Sequence, residues 1–462
     1  MTPDRAAAKE RRRDLLLNAP ICKVIPRMAI PTIISMLITT FYNLADTYFV
    51  SSLGTAATAA VGVNFSLDNL IMTAGSFLAV GANSYIARLL GAKDEKKASQ
   101  VLSTAFFTAL ITGSLAMLAG LIFLNPLVHA LGASGDVVQY AKDYAGYVLL
   151  AAPFMAANFV MNQCLRSEGS AVFSMIGMVS GAILNIGLDP LFIFVFGWGV
   201  KGASAATALS KLVSFIILLW PYLRRSSLLH LSIRNIRYSR DIVSEIVKMG
   251  FPTAMRTGLT AVSTIVLNNM ASLFSDSALA AISVSNRIMM FLTASVLGFG
   301  QGYQPVAGFN WGAKRYDRVY KAFWFSSVAG VIGVSVLSLV MGLFSQHIML
   351  LFTTVDEEML TIGNLCIRLQ CLAMPIHAWV IVVNMSYAGL GKARGAAILS
   401  IARQGLCFIP MILLLPRLFG VNGLAGAQAA SDALSLLIAL PLCVKMLKEI
   451  QLLINRPVSV IS

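Results

Sequence analysis

Met28-Ala29-Ile30-Pro31-Thr32 and Met249-Gly250-Phe251-Pro252-Thr253 are one phrase written twice, 221 positions apart (252 minus 31). Gly91-Ala92-Lys93 returns as Gly312-Ala313-Lys314 at the same offset, while Pro153 with Pro375, Asn162 with Asn384 and Gly169 with Gly391 pair at 222, a slip of one residue. The chain therefore reads as two copies of one unit. Outward from each phrase lie six apolar runs, near 24–50, 59–83, 99–124, 138–165, 170–196 and 200–222 in the first copy. In the second they lie near 246–272, 279–305, 321–345, 359–388, 395–418 and 421–446. A helix needs about 20 apolar residues to cross a bilayer, and each run supplies them. The expected fold is all-α and integral to the membrane, with twelve transmembrane helices as two homologous six-helix bundles. An even number of crossings per copy leaves both in the same orientation, so a pseudo-two-fold axis along the membrane normal is expected. Duplicated transporters are built this way, with a midplane site between or within the halves and access that alternates as they rock.

Composition points the same way. Of 462 residues 57% are hydrophobic and 12% charged, against roughly 25% charged in soluble globular proteins; the mean hydropathy is +0.78. The net charge of +15, 35 Lys and Arg against 20 Asp and Glu, is spread over short loops, which argues against nucleic acid and for membrane topology. Basic loops alternate with nearly bare ones. The N-terminal stretch (Arg5, Lys9, Arg11, Arg12, Arg13), the 88–97 loop, the 223–248 loop and the 310–321 loop carry the cations. Lys201 and Arg417 are the exceptions, and the 346–358 loop is acidic (Asp356, Glu357, Glu358). Both termini are thus expected in the cytoplasm, in a multi-pass protein of the cell (inner) membrane. The first apolar run is too long for a signal peptide and is expected to stay. The expected division is a basic tail over 1–23, an N-lobe over 24–222, a linker over 223–245, a C-lobe over 246–446 and a second tail over 447–462. Six cysteines without CxxC or Cys/His spacing suggest neither disulfides nor zinc. With no nucleophile elbow, HExxH or phosphate loop, no enzyme is expected.

Charge inside a span is costly and so carries a functional hypothesis. Topology places Asp46 in the outer part of the first span, Asn185 and Asp189 in the outer half of the fifth, and Thr207 at similar depth in the sixth. Asn185 and Asp189 stand four apart, on one helix face. Two carboxylates with an amide and a hydroxyl suit a small hard cation; if they crowd each other in low dielectric, one keeps a proton instead. Either way transport would be coupled to an ion. The second copy lacks the counterpart: Asp46 maps to Leu267, and Asp189-Pro190 to Ile409-Pro410. Lys211, a turn beyond Thr207, maps to Asp432, of opposite charge. Asp68, Arg256, Arg287, Arg368, Arg403 and Asp432 read equally as structural pairs or cavity-lining groups, and His377 as a core histidine or a proton carrier.

The duplicated layout, the Asn-Leu-Ala-Asp46-Thr segment, Leu184-Asn185-Ile-Gly-Leu-Asp189-Pro190 and both Gly-Ala-Lys turns resemble the multidrug and toxic compound extrusion (MATE) family, of the MOP flippase-like fold. The resemblance covers the whole chain beyond the N-terminal tail and is nearest to the MepA-like and DNA-damage-inducible branches. It implies a secondary antiporter exporting organic cations for inward H+ or Na+, with the coupling cluster on Asp46, Asn185, Asp189 and Thr207. It also implies a substrate cavity at Met36, Tyr42, Asn158, Asn162 and Met178, and bending of the first helix at Pro31. Asn158 and Asn162 share a face, and methionines give an adaptable surface. One branch of the family carries an acidic residue in the seventh helix; here that helix has Arg256 and no carboxylate, which argues against a C-lobe cation site. Lys211 disfavours a bound metal ion and tips the choice toward H+, with Na+ left open. Lys211, His377 and Asp432 are candidate modulators. No cofactor beyond the coupling ion is expected; the partners are small organic cations and membrane lipid, and the protein is expected to be a monomer. The rivals are a lipid-linked-precursor flippase, which would want several arginines in one cavity, or a narrow-specificity metabolite exporter of the same superfamily.

Overall fold

A computed structural model describes residues 3–352 and 356–455, the side chains of residues 3–9 excepted. The side chains of Arg5 and Lys9 and the end of the expected C-terminal tail, 456–462, lie outside the described residues. The described chain is helical, with no strand. In the first half the helices are α1 (Pro3–Leu17), α2 (Ile21–Ser51), α3 (Thr55–Gly91), α4 (Glu95–Ile122), α5 (Leu124–Ala130), α6 (Val137–Ser167), α7 (Ala171–Pro190) and α8 (Val200–Leu223). In the second they are α9 (Arg240–Ser272), α10 (Asp276–Gly312), α11 (Tyr316–Leu343), α12 (Ser345–Leu350), α13 (Glu357–Gly389), α14 (Ala393–Ile401) and α15 (Phe408–Ile454). A π-helical segment, Leu191–Val195, extends α7, and another, Ala402–Cys407, joins α14 to α15.

Among the described residues ten stretches are long and apolar enough to cross a membrane, and two features carry this to twelve crossings. The stretch Ala393–Ile454 counts once, yet Gly420 inside it has φ 60° and ψ −141°. Its repeat mate Gly199, at φ 55° and ψ −130°, forms the turn that starts α8, so α15 is two crossings folded at a left-handed glycine. α9 is long enough, but Asp241, Glu245, Lys248 and Arg256 dilute its hydropathy. With α15 divided and α9 included, each half holds six.

The duplication survives in local geometry. Lys93 and Lys314, the last residues of the paired Gly-Ala-Lys turns, both take positive φ (69° and 57°). Asn162 donates to the Ser174 carbonyl (3.1 Å) and its mate Asn384 to that of Ala396 (3.5 Å). α6 packs on α3, α4, α7 and α8, and α13, its mate, on α10, α11, α14 and α15. Small residues on the contact faces, such as Gly75 and Gly113 against α6 and Gly300 against α13, allow this density.

Two compact units share the chain. One holds Ile34–Gly250 with the chain up to Asn18; the other holds Ala19–Ile33 with the chain from Phe251 on. The expected lobes, 24–222 and 246–446, differ from these units at two places, because the start of α2 packs in the second unit and the start of α9 in the first. Glycine makes both packings. In the second unit a Cβ on Gly302 would stand 2.5 Å from the Ala29 Cα, and one on Gly298 2.8 Å from the Ile33 Cα. In the first, Gly81 of α3 lies on the Ile246 backbone and Gly250 of α9 on that of Phe77. No side chain fits between backbones this close.

In the first unit the segment between α8 and α9 is strapped onto α4. Ser99 accepts from the His230 N–H (3.0 Å), Ser103 from that of Ser232 (3.2 Å) and Thr104 from that of Arg237 (3.0 Å). At its head Glu168, buried in the turn after α6, accepts from the Ser227 hydroxyl (2.6 Å) and the Leu228 N–H (2.7 Å). α1 joins the same knot, with Arg12 donating to the Ser226 carbonyl (3.0 Å) and pairing with Glu168 at 3.7 Å, and Leu16 buried beside Gly169.

Candidate functional site

The polar layer of the first unit is assembled from five helices. Asp189 closes α7 just before Pro190, which has no N–H to give; the ladder shifts register there and the chain continues as the π-helical segment. One turn back on the same face, the Asn185 amide donates to Asp189 Oδ1 (3.0 Å) and across to Thr207 Oγ1 on α8 (3.2 Å). Asp46 lies on the last third of α2, where Tyr144 of α6 donates its hydroxyl to Oδ2 (3.3 Å). Lys211 donates to the Tyr42 hydroxyl (3.0 Å), its ammonium 4.8 Å from the ring centroid. Asp68 of α3 lies within electrostatic reach of Lys211 and Asp46.

Of the expected quartet, Asp189, Asn185 and Thr207 form a hydrogen-bonded trio, while Asp46 is hydrogen-bonded to Tyr144 and lies within electrostatic reach of Asp189. Among the described residues no three His, Cys, Asp or Glu side chains are grouped to hold a metal ion. The layer is short of donors: Asp46 Oδ1, Asp68 Oδ1, Asp189 Oδ2 and Asn185 Oδ1 are buried with no hydrogen-bond partner. Buried acceptors are normally satisfied, so these four oxygens mark where a proton or cation would be welcome.

Beside the layer, wholly within the first unit, is a cavity of about 60 Å³. Tyr42, Asn158, Asn162, Met178, Asn185, Thr207 and Lys211 line it, with Met72, Met155 and Phe159 giving an apolar wall. Asn158 donates to the Lys211 carbonyl (2.9 Å), and the Asn162 Oδ1 accepts from Arg166. Met36 is not among the residues that line it and sits half-buried on α2. Pro31 is buried in α2, which runs unbroken through it, two residues before the chain passes from one unit to the other after Ile33.

Sequence reasoning missed Tyr144 and set Asp68 aside. Both were within reach of the depth argument, since the second and fourth spans enter from the side where the first and fifth end. In the second unit Leu267, the mate of Asp46, is packed with Ala271, Ile282, Phe408 and Ile412 in an apolar cluster. There Asp432 pairs with Arg403 at 2.6 Å, while Arg287 and Arg368 are exposed.

The MatE family model matches residues 31–191 and 252–414, one match per half. The chain belongs to the MatE family. A curated relative, the multidrug export protein MepA of Staphylococcus saprophyticus, is 27% identical over 442 residues, covering 94% of this chain and 95% of its own. A solved structure described as the outward-facing conformation of a multidrug resistance MATE family transporter of the MOP superfamily superposes with a TM-score of 0.89. It is 27% identical, over 96% of this chain and 98% of that one. Another, a MOP superfamily transporter from Pyrococcus furiosus whose pocket of reverse polarity is said to suggest a different function, gives 0.88 at 27% identity, over 96% and 99%. This MatE chain is thus a multi-pass membrane protein of the transporter fold that its repeat implied.

Proposed function

We propose that this MatE chain is a secondary active multidrug antiporter of the cell membrane, exporting organic cations for inward H+ or Na+ through Asp46 and Asp189. The observation that carries the reading is the set of unpaired acceptor oxygens beside a cavity with aromatic, methionine and amide walls. Acceptors without donors draw positive charge, whether a proton, a metal ion or the head of an organic cation, and all three compete for one field.

The cavity size turns competition into exchange. Drug-sized ligands need roughly 300–1,000 Å³, far more than the cavity of about 60 Å³ here, so loading substrate requires the first unit to open. Bending of α2 at Pro31, whose ring nitrogen carries no N–H to give to the helix ladder, would open and shrink the cavity as the ion leaves and binds. Two carboxylates with different hydrogen-bond partners, Tyr144 for Asp46 and Asn185 for Asp189, with Lys211 anchored on Tyr42 nearby, favour protons over a caged metal ion. Under this reading no cofactor is needed, both termini are cytoplasmic and the protein works as a monomer. For the flippase rival, Arg256 and Arg403 lie within electrostatic reach of each other, while Arg287 and Arg368 are exposed.

The test is uptake of a fluorescent organic cation into inside-out proteoliposomes, under a pH gradient and separately under a Na+ gradient. Uptake should follow one gradient and be abolished by Asp46→Asn and by Asp189→Asn, with both variants folded by size exclusion. Undiminished uptake in either variant would sink the coupling assignment.

A further inference from the structure

A second cavity of the first unit, of about 340 Å³, lies at the basic end of α4, away from the coupling layer. Small-molecule sites run to roughly 300–1,000 Å³, so this one has room for a ligand as it stands. The first turns of α4 line it with Lys96, Lys97 and Gln100, and the strap between α8 and α9 and the start of α9 line it with Arg237 and Asp241. Asp94, at the head of α4, completes its charged wall.

Three of these five charges are engaged with one another. Asp94 caps α4 by accepting from the Lys97 N–H (2.9 Å), and Asp241 pairs with the Lys97 ammonium (2.8 Å). Among the described residues the Lys96 ammonium, the Arg237 guanidinium and the Gln100 amide make no hydrogen bond or ion pair. The Arg237 backbone is nonetheless pinned to the wall, its N–H donating to the Thr104 hydroxyl (3.0 Å) and its carbonyl accepting from it (3.3 Å). Three cations against two carboxylates leave one positive charge over. A phosphodiester carries one negative charge and a phosphomonoester close to two, so the balance fits the diester.

The surroundings of the cavity are those of a membrane surface. Tyr238 is 60% exposed with its hydroxyl on that of Thr108 of α4 (3.2 Å), and Ile233 is 71% exposed. Arg88 and Lys97 lie over the Tyr85 ring (5.3 and 5.8 Å), and Arg224 over that of Trp220 (4.3 Å). Aromatic and basic side chains interleave in this way where lipid headgroups lie. The repeat does not account for the cavity's charges: carried forward by 221, Lys96 falls on Asp317 and Lys97 on Arg318. Arg318 is tied to the Asn310 side chain (3.1 Å) and the Ala19 carbonyl (2.8 Å).

We propose that Lys96, Arg237 and Gln100 form a headgroup site for an anionic phospholipid, whose phosphodiester lies between the head of α4 and the strap. Arg237 presents a planar fork to the phosphate oxygens, Lys96 a point charge and Gln100 a neutral donor. The lipid is a ligand of the joint rather than of the coupling layer, and it bridges α4 to the segment that the α4 hydroxyls already hold. This goes beyond the antiport reading and is independent of which ion drives transport.

Native mass spectrometry of the full chain, released into mild detergent from nanodiscs of mixed phosphatidylcholine and phosphatidylglycerol, tests the site. Wild type should retain phosphatidylglycerol over phosphatidylcholine by roughly tenfold or more, the scale of two basic side chains at an anionic surface. Lys96→Gln/Arg237→Gln should lose that preference. Arg225→Asn/Arg234→Gln, which removes two cations of the same strap outside the cavity, should keep it. All four side chains are exposed, so both variants should fold, as size exclusion checks. No preference in wild type, an unchanged preference in Lys96→Gln/Arg237→Gln, or equal loss in the two variants overturns the proposal, the last by showing only a diffuse basic surface. Soluble glycerophosphoglycerol, the headgroup without its chains, should leave the retained lipid in place; displacement at equal concentration would overturn the lipid as occupant.

Discussion

Asp46 has one oxygen on the Tyr144 hydroxyl and one on nothing, and that asymmetry is where its chemistry lies. The paired oxygen fixes the carboxylate's direction, and the unpaired one receives. A hydrogen bond to a charged group contributes about 1.5–3 kcal/mol, so Tyr144→Phe should cut coupled efflux about tenfold or more while the buried ring keeps its packing. Initial rates of cation uptake beside a melting curve measure both; full efflux in Tyr144→Phe would remove the hydroxyl from the mechanism. Residues on one helix face were legible in the sequence, which is why Asn185 with Asp189 and Asn158 with Asn162 could be paired by their spacing of four. Partners across helices were not, because spacing gives no rotation of one helix against another. The amide of Asn185 reaching Thr207 followed from depth alone, whereas Tyr144 reaching Asp46 and Lys211 reaching Tyr42 depend on which way α6, α8 and α2 are turned.

Helix ends were the least legible elements, and each miss has a cause in backbone chemistry. The fold-back at Gly420 was legible, since the runs 395–418 and 421–446 part there with Arg417 and Asn422 beside it, whereas Pro190 announces a break that a π-helical segment absorbs. The charged N-terminal stretch read as a tail; instead α1 is a helix with Leu16 buried and Arg12 engaged at Glu168. That turn carries a pH signature. Burial pushes the Glu168 carboxyl up from its ordinary value, with the Ser227 hydroxyl, Arg12 and the Leu228 N–H pulling the other way. A carboxyl raised above its unfolded value of about 4.3 holds its proton longer in the folded chain. Its contribution is full below the unfolded value and is lost as pH rises through the folded one. The melting temperature of wild type should thus fall more steeply from acid toward neutral pH than that of Glu168→Gln. Parallel curves would show that Glu168 is fully compensated.

At the scale of the whole molecule the repeat was the most legible feature, since its period, its proline and glycine marks and its number of spans could be read directly. The asymmetry inside the repeat was legible too, as Leu267 opposite Asp46, though not its consequence that a dry apolar cluster fills the second copy of the ion layer. Leu267→Asp would place a charge there with no donor at hand, a cost of several kcal/mol. It should lower the melting temperature sharply without creating a second coupled ion, which thermal unfolding and transport stoichiometry would measure; a well-folded variant would mean that this half is wetter than its packing implies. The strap between the halves has its own consequence. Arg224, Arg225, Arg234, Arg237 and Arg240 make it look like the natural place for trypsin to cut the duplication in two. A protease must draw several residues of backbone into its cleft, and here the N–H groups of Leu228, His230, Ser232 and Arg237 are held by Glu168 and the hydroxyls of α4. Cleavage there waits on local unfolding of that edge, so the most arginine-rich joint in the chain is a poor place to nick it.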